Sequence, residues 1–109
     1  MNPFKSDPEK KLARDLNAAR TNRDKLAERL KATELALSER RAEAHRLARD
    51  GADDSELDAA EAALRSAQHR QSTLAAALID VERQVQDLER GHDDLADKKV
   101  RAETAAVIE

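Results

Sequence analysis

Apolar residues recur along this chain at spacings that alternate between four and three. The first stripe runs through Leu12, Leu16, Ala19, Arg23, Leu26, Leu30, Thr33, Leu37, Arg40, Ala44 and Leu47. The second runs through Leu57, Ala60, Leu64, Ala67, Gln71, Leu74, Leu78, Val81, Val85, Leu88 and His92, and its phase continues through Leu95, Lys99, Ala102 and Ala106. A 3.5-residue repeat keeps one stripe of a helix turned toward a partner helix. Strand-like alternation is missing over any useful length. The pattern predicts two long helices and nothing else.

Helix boundaries follow from the residues that interrupt the pattern. Residues 1–6 carry no helical period and read as a flexible N-terminal segment. Asp7-Pro8-Glu9 reads as a helix start: Asp7 accepts from the orphan amides, Pro8 suits the first helical position, and Glu9 suits the positive end of the dipole. Ser6 with Glu9 is a capping box shifted by one residue. The first helix is therefore expected over 7–49. Gly51 supplies the left-handed conformation that ends a helix, and Asp53, Asp54 or Ser55 caps the next one. The turn spans 50–54 and the second helix 55–109. Gly91 interrupts its composition, but the heptad phase is kept across it, which predicts a continuous or mildly bent helix.

A short turn makes the two helices antiparallel. Paired outward from the turn, the stripes match Leu47 with Leu57, Ala44 with Ala60, and so on to Leu12 with His92. The residue numbers of every pair add to 104, so two independently read heptads agree over eleven layers. The expected fold class is all-α: a long antiparallel coiled-coil helical hairpin. On the flanks, this register sets Arg20 near Glu82 and Arg41 near Glu61. Thr33 and Gln71 share a layer and are candidates to hydrogen-bond each other. Arg23 and Arg40 read as long stems that snorkel out of the seam.

A two-helix seam leaves each side chain partly wet, and several layers are only Ala. This predicts self-association, most simply a homodimer forming a four-helix arrangement. The apolar residues outside the stripes say where. Residues 74–79 read Leu-Ala-Ala-Ala-Leu-Ile, apolar around nearly the whole helix. Ala27, Ala32, Leu35 and Ala36 widen the apolar surface at about the same height on the first helix. The expected interface is Ala27, Leu35, Ala36, Ala75, Ala76 and Ile79. From about residue 93 the second helix overhangs the first, carrying Leu95, Val100, Val107 and Ile108. Val100, Val107 and Ile108 join the interface as a docking end for a protein partner, or the chain continues beyond Glu109. Phe4 falls near Val100 in this register.

Composition sharpens the class. Ala, Leu, Glu, Lys and Arg supply 66 of 109 residues, and there is one aromatic, Phe4. That suits a long helix or coiled coil and argues against a sizeable globular core. The absence of Cys excludes disulfides and Cys-ligated zinc. No apolar run is long enough to span a bilayer, and no signal-peptide pattern follows Met1. The expected location is cytoplasmic. Twenty basic and 23 acidic residues are interspersed, giving a net charge of −3. No basic patch suits nucleic acid, and Asp93, Asp94 and Asp97 beside Lys98, Lys99 and Arg101 argue against an amphipathic membrane helix. A helical module for nucleic acid or membrane surfaces is the alternative reading, as is the stalk of a longer protein.

Candidate chemistry is sparse. His45 and His69 fall on outer positions. Glu89 and His92 make a Glu-x-x-His pair of the kind used in carboxylate-bridged metal bundles, but such sites need two of them with further inward carboxylates. His92 reads better as a polar residue closing the wet end of the seam. There is no Gly-rich phosphate loop, Ser/His/Asp constellation or Cys nucleophile. No catalytic residue, cofactor or metal is expected, and the chain reads as a non-enzymatic oligomerisation or scaffold module.

Overall fold

The computed structural model describes residues 7–108, with side chains for 7–103. The described residues form two helices, α1 over Pro8–Arg49 and α2 over Asp54–Ile108, arranged as an all-α helical hairpin without strands.

Each boundary has a local cause. Asp7 Oδ1 accepts from the Glu9 amide at 3.0 Å, and the Asp7 carbonyl accepts from Lys11 N at 3.0 Å. Asp7 is thus the N-cap of α1, with Pro8 at the first helical position where its missing amide costs nothing. At the other end, Gly51 takes φ +79°, the single positive φ among the described residues. The Ala52 amide donates to the Leu47 carbonyl at 3.0 Å and the Gly51 amide to the Ala48 carbonyl at 3.3 Å. This pair of bonds is a Schellman motif, which satisfies carbonyls the helix end would leave orphaned. Asp53 then opens α2: its Oδ1 accepts from the Glu56 amide at 2.9 Å. Of the three cap candidates the sequence offers, Asp53 carries the bond. Gly91 lies inside α2 without interrupting it. Ser6 and Phe4 lie outside the described residues.

The chain divides into two compact units, and each helix contributes to both. The first combines residues up to Arg23 with those from Asp80 onward. Its centre is Leu16, Ala19 and Val85, with Val81 and Leu88 packed against them. Val85 is the most buried residue of this cluster, at 2 % exposure. The pairing of Ala19 with Val85 and Leu16 with Leu88 expected from the stripes is consistent with this cluster. The second unit, Asp24–Ile79, contains the turn and buries Ala44 and Leu74. Among the described residues five apolar ones are buried, Leu16, Ala19, Ala44, Leu74 and Val85, and all lie on the heptad stripes. Of the other stripe positions from Leu12 to Leu47 and Leu57 to His92, only Arg40 is exposed.

Two expectations about polar residues are corrected. Arg20 pairs with Glu89 at 3.5 Å rather than with Glu82, and no ion pair joins Arg41 to Glu61 among the described residues. The cause is the tilt of every Cα–Cβ bond toward its own helix N-terminus. In an antiparallel pair these tilts oppose. Arg20 leans toward the start of α1 and Glu89 toward the start of α2, so the two converge; Arg20 and Glu82 lean apart. The Lys99–Glu9 pair at 3.4 Å is offset in the same sense. Thr33 is the second correction. Its hydroxyl donates to the Arg29 carbonyl of its own helix at 2.8 Å, and no hydrogen bond joins it to Gln71 among the described residues. A Thr in mid-helix finds that carbonyl within reach in its own turn, and a partner across the seam must compete with it.

Candidate interaction surfaces

Large apolar side chains left in water are the features of this molecule that its own folding does not use. Among the described residues these are Leu35 at 63 % exposure, Val100 at 59 % and Ile79 at 58 %. Scattered single apolar residues on a surface are ordinary; contiguous ones beside small residues mark interaction sites.

In the Asp24–Ile79 unit the apolar residues outside the stripes do not form one belt. Ala27, Ala75 and Ile79 fall on one side of the heptad wheel. Ala27 and Ile79 are exposed there and Ala75 is half-buried. Ala36 turns to the other side, where it is half-buried, and Leu35 stands out on the back of α1. Ala76 is exposed on the back of α2. On the Ala36 side a groove runs between the helices, lined by Ala32, Thr33 and Ala36 of α1 and by Ala63, Ser66 and Ala67 of α2, with Arg40 and Arg70 at its walls. Ala63 and Ser66 are the residues that the stripe reading passes over. The available signal is the run of small residues on the flank next to Ala67, which reads as helix propensity until the opposing flank is also seen to be Ala.

In the other unit, an apolar cleft lies where α1 begins. Pro8, Leu12, Gly91 and Leu95 line it, and Lys11, Asp15, Asp94 and Lys98 stand around it. Val100 is exposed. Val107 and Ile108 belong to α2, and their side chains lie outside the described residues.

His45 and His69 are exposed and His92 is half-buried. Glu89 is engaged by Arg20, which competes with any joint role for Glu89 and His92. No group of three or more His, Cys, Asp or Glu is placed to hold a metal ion among the described residues. The Glu43 carboxyl is held below its ordinary value, chiefly by its hydrogen bonds with the Arg46 guanidinium and further by that group's charge; Arg46 is raised in return by the same hydrogen bonds. The two lie at 2.6 Å and 3.0 Å one helical turn apart, near the end of α1. Arg46 also approaches Asp50 at 3.7 Å, so these charges tie the helix end to the turn. Arg90 and Asp87 form a further close pair on α2. No helix is long and apolar enough to cross a membrane among the described residues.

Compared with known proteins, the chain matches no family model, no curated protein and no solved structure.

Proposed function

We propose that this chain is a non-enzymatic interaction module, a helical hairpin that self-associates and serves as an oligomerisation or scaffold element. The observation that carries the reading is the exposure of Leu35 and Ile79 in a molecule whose few buried apolar residues all lie on one pair of stripes. Full burial of a Leu or Ile side chain contributes about 1.5–3 kcal/mol. A second copy covering either of these residues on both molecules gains that contribution twice, whereas an isolated hairpin leaves it unused. The homodimer is the simplest assembly, because a two-fold contact uses each patch in both directions. The module is read as cytoplasmic, with Val100 and the residues after it as a second surface for a protein partner.

Sedimentation equilibrium of the whole chain tests the proposal. It predicts a dimer or higher assembly at micromolar concentration. A well-folded monomer up to about 100 μM, a concentration at which a Kd of 1 μM would leave little monomer, overturns it.

A further inference from the structure

We propose that Phe4 folds back onto the apolar cleft where α1 begins and packs its ring against Pro8, Leu12, Gly91 and Leu95 of the same chain. The six residues before Asp7 then act as a short strap that closes the seam of that unit. The strap belongs to a single hairpin and stands whether or not copies associate.

The seam runs out of apolar partners at this place. Leu12 is the first apolar stripe residue of α1, whereas the stripe of α2 goes on to Leu95. Leu12, Gly91 and Leu95 are left half-buried and Pro8 exposed around an apolar hollow. Gly91 adds no side chain to fill it: a Cβ there would meet only the Leu12 methyls, at 3.6 and 3.9 Å. The chain before α1 departs from the edge of this hollow. A second hollow, lined by Asp7, Pro8, Glu9, Leu95, Lys98 and Lys99, shares Pro8, Leu95 and Lys98 with the first. Pro8 keeps Asp7 out of the helical region, so the chain turns off the axis of α1 at a residue already beside α2. Phe4 lies three residues upstream of Asp7, and three extended residues reach about 10 Å. The charges around the cleft are Lys11 and Lys98 with Asp15 and Asp94. Two of each sign favour no ion, which leaves a neutral apolar side chain as the fitting occupant. Phe4 is the single aromatic of the chain, and an aromatic ring buries more apolar area than an aliphatic side chain. Its tether selects this ring over one from elsewhere. A group on so short a linker acts at an effective concentration of about millimolar, which a partner in dilute solution does not reach.

The test is NMR of the full chain, in which the one Phe ring is its own probe. Nuclear Overhauser contacts are expected from the Phe4 ring to the methyls of Leu12 and Leu95. Those methyls are also expected to shift upfield under the ring current, and Phe4→Leu, which keeps an apolar side chain, abolishes the shift. Phe4→Ser is expected to speed hydrogen exchange of the Lys11 and Leu12 amides roughly tenfold, because the burial that held the first turns of α1 is lost. Amides near Ala44 keep their wild-type rates. Phe4 precedes both helices, and circular dichroism confirms that each variant keeps its helix content. Ring protons at random-coil positions without contacts to Leu12 or Leu95 overturn the proposal, and so do contacts to Val100 in their place. Unchanged exchange in Phe4→Ser overturns the closing of the seam. A mixture of isotope-labelled and unlabelled chains identifies the source of the ring. Contacts seen only between chains overturn the strap and assign the cleft to Phe4 of a second copy.

Discussion

A methyl group placed on Gly51 and one placed on Gly91 meet opposite conditions. Gly51 has open space around it but a left-handed backbone at φ +79°, where an L side chain crowds its own carbonyl. Gly51→Ala is expected to lower stability by about 1 kcal/mol. Gly91 is helical, and an added Cβ would sit 3.6 Å from a Leu12 methyl, an ordinary contact. Gly91→Ala removes the entropy cost of a mid-helix glycine without a clash, so it is expected to raise stability by about 0.8–1 kcal/mol. Thermal melts of the two variants decide both signs at once. Glu43 offers a titration at the same scale. Its carboxyl, hydrogen-bonded by Arg46, should titrate below the ordinary glutamate range when followed by carbon NMR. A depressed carboxylate stabilises the fold above its unfolded value, and that contribution is lost as pH falls through the folded value. The group is exposed, so acid should fray the end of α1 slightly rather than unfold the protein.

At the scale of the helices, the caps and the seam were legible in the sequence because each depends on neighbours within a turn or on a single repeat. Asp7 before Pro8 and Gly51 before Asp53 are local signals. The Leu and Val stripe is a property of one helix facing another, and the buried residues fall on it. The ion pairs were not legible. A register that counts levels alone places Arg20 beside Glu82, whereas the tilt of the side chains brings it to Glu89. Thr33 eluded the reading for a related reason, since its nearest acceptor lies in its own turn. The groove at Ala63 and Ser66 was illegible because alanine carries the same letter whether it fills a helix surface or opens a recess. Two expectations belong here. Asp53→Ala removes the bond to the Glu56 amide and should cost about 1 kcal/mol, with Asp53→Asn close to wild type. A double-mutant cycle on Arg20 and Glu89 should return a coupling of about 0.2–1 kcal/mol, and the same cycle on Arg20 and Glu82 should return a smaller one.

For the whole molecule, composition and burial agree. The chain has one aromatic, and five apolar residues are buried among those described. Its resources are surface: aliphatic side chains left out of the seam, and charges of both signs with a net of −3. If copies associate, melting temperature must rise with protein concentration, because mass action stabilises whatever binds only the folded state. A melting temperature constant over a hundredfold change in concentration would contradict the assembly.

The Schellman turn at Gly51 also sets an order of events in time. Every contact close to the turn joins residues near in sequence, so the search needed to form it is short. The unit that holds Val85 joins chain ends separated by the whole Asp24–Ile79 segment, and Lys99 meets Glu9 across a separation of 90 residues. Closing so long a loop from an open chain costs a few kcal/mol of entropy. Once the turn-proximal unit has formed, much of that separation is already bridged. Folding should therefore start at the turn and zip toward the termini, with unfolding in the reverse order. Native-state hydrogen exchange reads this directly: amides near Ala44 and Leu64 should open last, and those near Lys11 and Leu95 first. Substitutions such as Gly51→Ala should then slow folding, while Val85→Ala should mainly hasten unfolding.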